Sequence, residues 1–282
     1  MKKIQITAAD GYKLSALFSE PAGSSAGTIV ISSATGVKKE FYINFATFLV
    51  DQGYTVLLYD YRGIGESAPT DLRQMEDYMH EWGTKDMNAV VNYLVYEKQL
   101  NQLIWLGHSV GAQLVGFLEN PRYISKVISV SSALGYWGYF PFPMKWLVWM
   151  LWYFGGPIMI KLFGYGMMTK IGWGENLPRN MLLEWREWCL NRFYFKDSLK
   201  RILQTEKFSN FTAPITAVYT SDDFIANDTT VPLMMKFFPN APQQILKLSI
   251  KGRVRGKVGH TGIFRKKFSQ DFWPLLLDLI KK

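Results

Sequence analysis

The pentapeptide Gly107-His108-Ser109-Val110-Gly111 follows a short apolar run at residues 103–106 and opens a helical pattern over residues 110–118. A G-x-S-x-G pattern at a strand-to-helix turn holds its serine on a sharp bend, where the hydroxyl is exposed. The flanking glycines are required because side chains there would collide with the strand and the helix. The stretch therefore predicts Ser109 as a nucleophile, and the amide of Val110 at the helix N-terminus as a donor to a developing oxyanion.

Strand and helix patterns alternate on both sides of this turn. The sequence Asp10-Gly11 indicates a hairpin turn. Strand patterns occur at residues 4–7, 13–19, 28–32, 54–59, 103–106, 126–130, 214–220 and 244–250, and helical patterns occur at 41–49, 78–96, 110–118, 231–238 and 268–280. Regular alternation of this kind predicts an α/β fold, a mainly parallel central sheet flanked by helices on both faces.

An aromatic-rich stretch interrupts the alternation. Seven of the ten tryptophans lie between Trp137 and Trp188. We predict an inserted helical segment at residues 134–208 between two parts of one core, residues 1–133 and 209–282. Most of its aromatic and methionine side chains must pack the insertion on the core, and several are expected to line an apolar ligand pocket.

The longest apolar run covers residues 146–160 and lies between Lys145 and Lys161. We expect Gly155-Gly156-Pro157 to interrupt it. The run is also shorter than the about 20 residues that a spanning helix needs. Because Trp and Tyr suit the membrane interface, the run favours peripheral contact with a membrane surface over a transmembrane helix. The N-terminal residues 1–7 read as a strand and lack the pattern of a signal peptide.

Cysteine and histidine are scarce, with one and three residues in a chain of 282. One cysteine cannot form an intramolecular disulfide, and this set cannot build a Cys-rich zinc site. These counts favour a reducing, cytoplasmic location, and chemistry at a serine nucleophile needs no metal and no cofactor.

The formal net charge of +9 is concentrated at the C-terminus, where residues 245–282 contain ten Lys or Arg and two Asp. A basic run of this kind is usually a solvated face, and its functional alternative is attraction of an anionic substrate or an acidic membrane surface. No recognition motif accompanies the charge, so we expect no nucleic-acid partner.

A serine nucleophile needs a base, and three histidines are available. His108 adjoins Ser109 on a rigid turn that points the two side chains apart. His80 lies in an amphipathic segment, where a surface or partly buried histidine is expected. His260 lies in the glycine-rich loop 256–260 between the last strand and the last helix, where this architecture places functional side chains. We therefore predict His260 as the base.

The acid that orients this base is sought among the aspartates. Asp222 and Asp223 follow the strand predicted at 214–220 and precede His260, which completes the chain order Ser, Asp, His. Paired aspartates are also common in turns. The spacing alone does not choose between the two.

The chain resembles the α/β-hydrolase superfamily, in the branch of serine aminopeptidases and monoacylglycerol lipases. In that family the acid is commonly followed by any residue, an aliphatic residue and then Val or Ala. The resemblance therefore implies Asp223 as the acid, and it implies that the insertion is a cap over Ser109. The segments that carry it are Asp60–Ser67, which matches D-x-R-G-x-G-x-S, the elbow 107–111, the acid turn 221–226 and Gly259-His260.

A closer resemblance, carried by Ala34-Thr35-Gly36, Leu177-Pro178-Arg179 and Gly259-His260, is to bacterial predicted α/β-hydrolases of unknown substrate. The chain departs from many relatives after the third strand, where Ser33-Ala34-Thr35-Gly36 replaces His-Gly. The resemblance implies that the second oxyanion donor is the backbone amide of Thr35 or Gly36.

The function expected from these residues is hydrolysis of a carboxylic ester with an apolar acyl group. Ser109 would attack the ester, His260 would move the proton, and Asp223 would orient the imidazole. A thioesterase, an acyltransferase or a peptidase would use the same residues, and a non-catalytic lipid-binding protein would keep the same fold. The expected partner is a small-molecule ester or acyl compound, and the oligomeric state is left open.

Overall fold

The computed structural model describes residues 1–198 and 206–282. The strands within them are β1 (Lys2–Thr7), β2 (Lys13–Ser19), β3 (Thr28–Ser32), β4 (Thr55–Tyr59), β5 (Leu103–His108), β6 (Ile124–Val130), β7 (Ile215–Thr220) and β8 (Gln243–Leu248). They form one sheet in the order β1-β2-β4-β3-β5-β6-β7-β8. Strand β2 pairs antiparallel with β1 and β4, and all other neighbours are parallel. The predicted α/β fold with a mainly parallel sheet is confirmed.

The α-helices of the described residues are α1 (Ile43–Asp51), α2 (Asn88–Asn92), α3 (Val110–Gln113), α4 (Met144–Met150), α5 (Gly156–Phe163), α6 (Arg179–Leu190), α7 (Glu206–Ser209), α8 (Thr230–Met235) and α9 (Ser269–Lys281). Helix α2 lies between the π-helical turns Trp82–Met87 and Tyr93–Glu97, so the helix predicted at 78–96 begins four residues later than expected. A 3₁₀ turn, Leu114–Phe117, continues α3.

Both faces of the sheet are covered, which explains the continuous apolar strands. In β3, Val30 belongs to the core on one face, whereas Ile29 and Ile31 belong to the core on the other. Helices α1 and α9 cover this second face, and the rings of Phe45 and Trp273 meet there with centroids 5.5 Å apart. Because β3, β5, β7 and β8 are parallel, the loops after them meet at one edge of the sheet.

The loop Asp60–Ser67 after β4 is held by buried charges. Lys39 is fully buried, and its ammonium lies 2.7 Å from Asp60 Oδ2. Buried ions are tolerated when they are paired and hydrogen-bonded. Glu40, Asp60 and Glu66 form the one group of three carboxylates in the described residues close enough to share a cation, and the Lys39 ammonium lies among them at 2.7–2.8 Å.

A second buried cation, Arg62, belongs to the loop itself. Arg62 is fully buried and donates from Nε to Asp86 Oδ1 at 2.7 Å and from Nη1 to Asp10 and Asp77. Asp86 belongs to the π-helical turn before α2, so this pair fixes the loop against that helix. The Asp and the Arg of the D-x-R-G-x-G-x-S pattern thus have a structural explanation, since each belongs to a buried ion pair.

Residues between β6 and β7 include the predicted insertion 134–208, of which residues 199–205 lie outside the described part. Helices α4, α5 and α6 belong to this segment. We call residues 134–198 the cap from here on. Its boundaries stay a prediction.

The expected interruption at Gly155-Gly156-Pro157 is wrong, because α4 and α5 join into one continuous helix, Met144–Phe163. A π-helical turn, Leu151–Gly155, connects them, and the Gly156 amide donates to the Leu151 carbonyl. This wider turn releases the Trp152 carbonyl, which accepts from Arg186 Nε at 2.5 Å. The missing N–H of Pro157 is therefore tolerated, since hydrogen bonds around it are redistributed.

This helix has 20 residues and a mean hydropathy of 1.3. By length and composition it is the one helix of the described residues that could cross a membrane, and 17% of its apolar window is buried in the protein. The sequence expectation that the run is too short is therefore also wrong.

Candidate active site

The backbone at Ser109 is strained as a nucleophile turn requires. Its φ of 54° and ψ of −118° place it in a region that residues other than glycine rarely adopt. A Cβ on Gly107 would come within 2.5 Å of the Ala112 nitrogen, and one on Gly111 within 2.2 Å of the Ser32 carbonyl oxygen. Both flanking positions therefore exclude any side chain, as the sequence predicts.

Ser109, His260 and Asp223 form a continuous chain of hydrogen bonds. The Ser109 hydroxyl Oγ lies 3.0 Å from His260 Nε2, and His260 Nδ1 lies 2.8 Å from Asp223 Oδ2. Ser109 follows β5, Asp223 follows β7 and His260 follows β8, so three distant segments converge. In this geometry His260 can take the serine proton while Asp223 holds the other ring nitrogen.

Asp223 is kept ionised in this position. Burial by itself would raise its pKa, but attraction to His260 and hydrogen bonds from the amides of Ile225 and Ala226 lower the pKa below its ordinary value. A carboxylate there accepts a hydrogen bond from the protonated Nδ1 of His260, which leaves Nε2 without a proton and facing Ser109. The carboxylate therefore fixes the tautomer that a base needs.

Asp222, the alternative acid, forms no hydrogen bond with His260 among the described residues. Its two carboxylate oxygens accept the backbone amides of Val258 and Gly259 at 2.8 and 3.1 Å. Asp222 therefore anchors the loop that presents His260, and Asp223 lies against the imidazole.

Backbone amides next to Ser109 are available to an oxyanion. Val110 is the first residue of α3, so its amide has no acceptor within the helix. In the described part of the chain, the amides of Val110, Thr35 and Gly36 donate to no protein atom. Thr35 also lines the cavity at Ser109. All three predicted donors stay candidates on this geometry.

His108 links the two loops that flank Ser109. Its ring is fully buried, with Nδ1 2.7 Å from the Tyr42 hydroxyl and Nε2 2.9 Å from the His260 carbonyl oxygen. Since a carbonyl only accepts, Nε2 carries the proton, and Nδ1 accepts from Tyr42. The Tyr42 hydroxyl in turn accepts the amide of Ala34. His108 therefore points away from Ser109, as expected, and connects the Ala34 loop with the His260 loop.

Lowering the pH from about 7 to about 5 is expected to lower the free energy of unfolding by about 2 kcal/mol through His108. Burial, followed by repulsion from His260, lowers the pKa of His108 from 6.5 to about 3. The unfolded chain therefore binds a proton that the folded protein rejects, and stability falls as the pH drops below 6.5. Urea denaturation at both pH values, on wild type and His108→Asn, measures this loss.

The other titrating groups are common to both proteins, so the difference between their pH dependences isolates His108. We expect the variant to lose about 2 kcal/mol less than wild type over this interval. Equal losses in the two proteins would contradict the neutral, buried state of His108.

A cavity of about 250 Å³ opens at Ser109 and His260. The cap contributes an apolar wall, and the core contributes the loop after β3 and the turn after β7. The lining includes Ala34, Thr35, Ala133, Phe140, Val148, Trp152, Trp173, Trp185, Cys189, Phe224 and Ile225. The structure thus places Ser109 beneath an aromatic cap, which is where the sequence expects an acyl pocket.

Two polar residues of this cavity were not identified from the sequence. Gln113 stands one helical turn after Ser109, donates to the Ala133 carbonyl at 2.7 Å, and accepts from the Tyr194 hydroxyl at 3.1 Å. The i+4 spacing from Ser109 is a local signal for Gln113. Tyr194 has no such signal, because its position depends on how the cap packs.

The remaining histidine and the cysteine have structural surroundings. The backbone amide and ring Nδ1 of His80 both bind the Glu184 carboxylate of α6, at 2.9 and 2.8 Å. His80 precedes the helix and joins core to cap. Cys189 is buried, and burial raises the pKa of its thiol well above the ordinary value, so it is not a thiolate nucleophile.

Comparisons with known proteins agree with the fold. Residues 23–161 match the family model described as serine aminopeptidase, S33. An esterase from Exiguobacterium antarcticum superimposes with a TM-score of 0.63 at 17% identity, covering all of both chains. A monoacylglycerol lipase from Paleococcus ferrophilus superimposes with a TM-score of 0.57 at 13% identity, covering 94% of this chain and 98% of the lipase. At these identities the likeness to both structures shows the fold.

The chain therefore has the α/β-hydrolase fold. The match to the serine aminopeptidase model covers just under half of the chain. A curated relative, the carboxymethylenebutenolidase of Pseudomonas putida, is 29% identical over 147 residues. The match covers 48% of this chain and 60% of the relative's own length.

Proposed function

We propose that this protein is a serine hydrolase that cleaves carboxylic esters with an apolar acyl group through an acyl-enzyme. The observation that carries the proposal is the chain of hydrogen bonds from Ser109 through His260 to Asp223, which opens into an apolar cavity. The family match supports hydrolase chemistry, and the names of the similar proteins support an ester as the substrate class. We also propose a cytoplasmic location and a small-molecule ester or acyl partner.

The reaction follows from the positions of the three side chains. Ser109 Oγ bonds to the acyl carbon while its proton passes to His260 Nε2, and the carbonyl electrons move to the oxygen. The amides of Val110 and of Thr35 or Gly36 stabilise this oxyanion, a contribution usually worth several kcal/mol. The intermediate then expels the alkoxide, which takes the proton from His260. Water repeats both steps and releases the carboxylic acid and free Ser109.

The same residues serve thioesters, amides and acyl acceptors other than water, so thioesterase, peptidase and acyltransferase activities are alternatives. The apolar wall of the cavity favours an acyl chain over a peptide, since a peptide would leave buried polar groups without partners. A non-catalytic lipid-binding protein can be distinguished from an esterase by its activity on nitrophenyl esters. It would bind fatty acids and turn over no nitrophenyl ester of any chain length.

The ester activity is expected to rise about fourfold in kcat/KM for each added acyl methylene, up to about eight carbons. The cavity of about 250 Å³ holds roughly eight groups the size of a water or a methylene. Burying each added methylene lowers the free energy by about 0.8 kcal/mol until the cavity is full. A series of nitrophenyl esters from acetate to laurate measures the profile.

A variant of the cap tests whether this cavity sets the profile. Val148→Phe narrows the cavity, so the optimum should move to shorter acyl chains while hydrolysis of the acetate persists. Leu147→Phe is the matched control, because Leu147 lies on the exposed face of the same helix. A profile that Val148→Phe leaves unchanged would place the acyl chain elsewhere.

A further inference from the structure

The cap helix Met144–Phe163 carries a large exposed apolar surface on the side away from the cavity. We define the apolar ridge as its strongly exposed members, Trp146, Leu147, Met150, Phe154, Ile158 and Leu162, which are 50–67% exposed. On the other side of the helix, Val148, Trp152 and Gly156 are buried. Contiguous exposed apolar surfaces of this kind mark interaction sites in soluble proteins.

The π-helical turn keeps the ridge on one side of the helix. Residues spaced by four drift around a regular α-helix, which has 3.6 residues per turn. The π-helical turn Leu151–Gly155 contains more residues per turn and offsets part of this drift. Five ridge residues, Trp146, Met150, Phe154, Ile158 and Leu162, therefore stay on one side of a helix about 30 Å long.

Along the sequence on both sides of the ridge, the charged residues all have one sign. From residue 120 to residue 174 the sequence contains no Asp or Glu. Lys145 and Lys161 stand within the helix near its two ends, and Lys170 follows it; Lys161 and Lys170 are exposed. An apolar stripe with lysines and tryptophan beside it matches the boundary of an anionic bilayer, where the rings enter the headgroup region and the cations meet lipid charge.

We infer that the cap helix docks on an anionic lipid surface, with the apolar ridge immersed at the interface and the helix parallel to the membrane. It lies on the bilayer instead of crossing it, because its inner face packs against the protein. Trp152 is 1% exposed, and its carbonyl accepts from Arg186 of α6. Crossing the bilayer would require this face to leave the cavity. Docking places the cavity wall that Val148 and Trp152 form directly beneath the lipid surface.

The experiment is vesicle co-sedimentation of the full chain, together with tryptophan fluorescence. Vesicles of phosphatidylcholine with about one quarter phosphatidylglycerol are compared with vesicles of phosphatidylcholine alone. We expect wild type to sediment with the anionic vesicles, with a blue-shifted emission, and to partition at least about tenfold more weakly into the neutral ones. Binding needs no turnover, so this result is independent of the proposed hydrolase activity.

Matched variants assign the binding to the ridge. Phe154→Gln with Leu162→Gln should weaken partitioning about 30-fold, because two large apolar side chains no longer enter the interface. Tyr96→Gln with Ile245→Gln, at exposed apolar positions outside the cap, should leave it unchanged. Lys161→Gln with Lys170→Gln should weaken binding to anionic vesicles about fivefold for each lysine removed.

Several results would overturn the inference. Wild type could remain in the supernatant with both vesicles, or the ridge variant and the control variant could bind alike. A dimer that forms in solution without vesicle binding, and that the ridge variant abolishes, would make a second copy of the chain the occupant. Protein that stays in the membrane fraction after alkaline carbonate extraction would show a helix that crosses the bilayer.

Discussion

Replacement of Ser109 by alanine is expected to lower kcat/KM for nitrophenyl esters by about 10⁵-fold to 10⁶-fold. The variant lacks the atom that bonds to the acyl carbon, and the His260 imidazole 3.0 Å away then has no hydroxyl to activate. The backbone turn and its two glycines are unchanged, so the protein should fold. Ester kinetics with purified protein measure the loss, and urea denaturation verifies the fold.

Ser129→Ala is the matched control for this substitution. Ser129 lies in β6, is 1% exposed, and its hydroxyl has no hydrogen-bond partner among the described residues. Its loss should leave kcat/KM within about threefold of wild type. If Ser109→Ala retained more than a small fraction of the wild-type activity, another residue would be the nucleophile.

Asp223→Asn is expected to lower kcat by about 10⁴-fold with little change in KM. An amide at this position can donate to His260 Nδ1, which favours the tautomer with its proton on Nε2. That ring cannot accept the Ser109 proton. Steady-state kinetics on the best nitrophenyl ester measure both constants.

Asp222→Asn makes the same chemical change one residue earlier. Asp222 accepts the amides of Val258 and Gly259, and an asparagine oxygen can still accept one of them. We expect a loss of activity below about tenfold, together with reduced stability of the His260 loop. If the effects of the two substitutions were reversed, the acid would be Asp222.

The parts of the fold that local patterns encode could be predicted from the sequence. The elbow is one such part, because Gly107 and Gly111 are forced by contacts within the strand, the turn and the next helix. Strand β3 is another, since five consecutive buried residues read as a β-branched run. The predicted bounds of β2 and β3 agree with the structure.

The choice of acid needed more than spacing. Two adjacent aspartates at the end of β7 are equivalent by position, and the residues after Asp223 separate them only through the family pattern. The structure distinguishes them by their contacts. Asp223 lies against the His260 ring, and Asp222 accepts backbone amides of the loop before it.

Features that depend on distant residues could not be predicted. Gly155-Gly156-Pro157 indicates a break by local propensity, yet Arg186 from another helix satisfies the carbonyl that the π-helical turn releases. His108 was excluded as a base, and its role in joining Tyr42 to the His260 carbonyl needs coordinates. Tyr194 reaches the cavity only because the cap folds over the sheet.

The most direct test of the serine mechanism is covalent labelling of the wild-type chain with a fluorophosphonate probe, followed by intact mass measurement and peptide mapping. A serine activated by His260 attacks the phosphorus and displaces fluoride, which leaves a stable adduct. We predict one adduct per chain on Ser109, and none on Ser109→Ala. An unlabelled wild type, an adduct on another residue, or equal labelling of Ser109→Ala would contradict the assignment of Ser109 as the nucleophile.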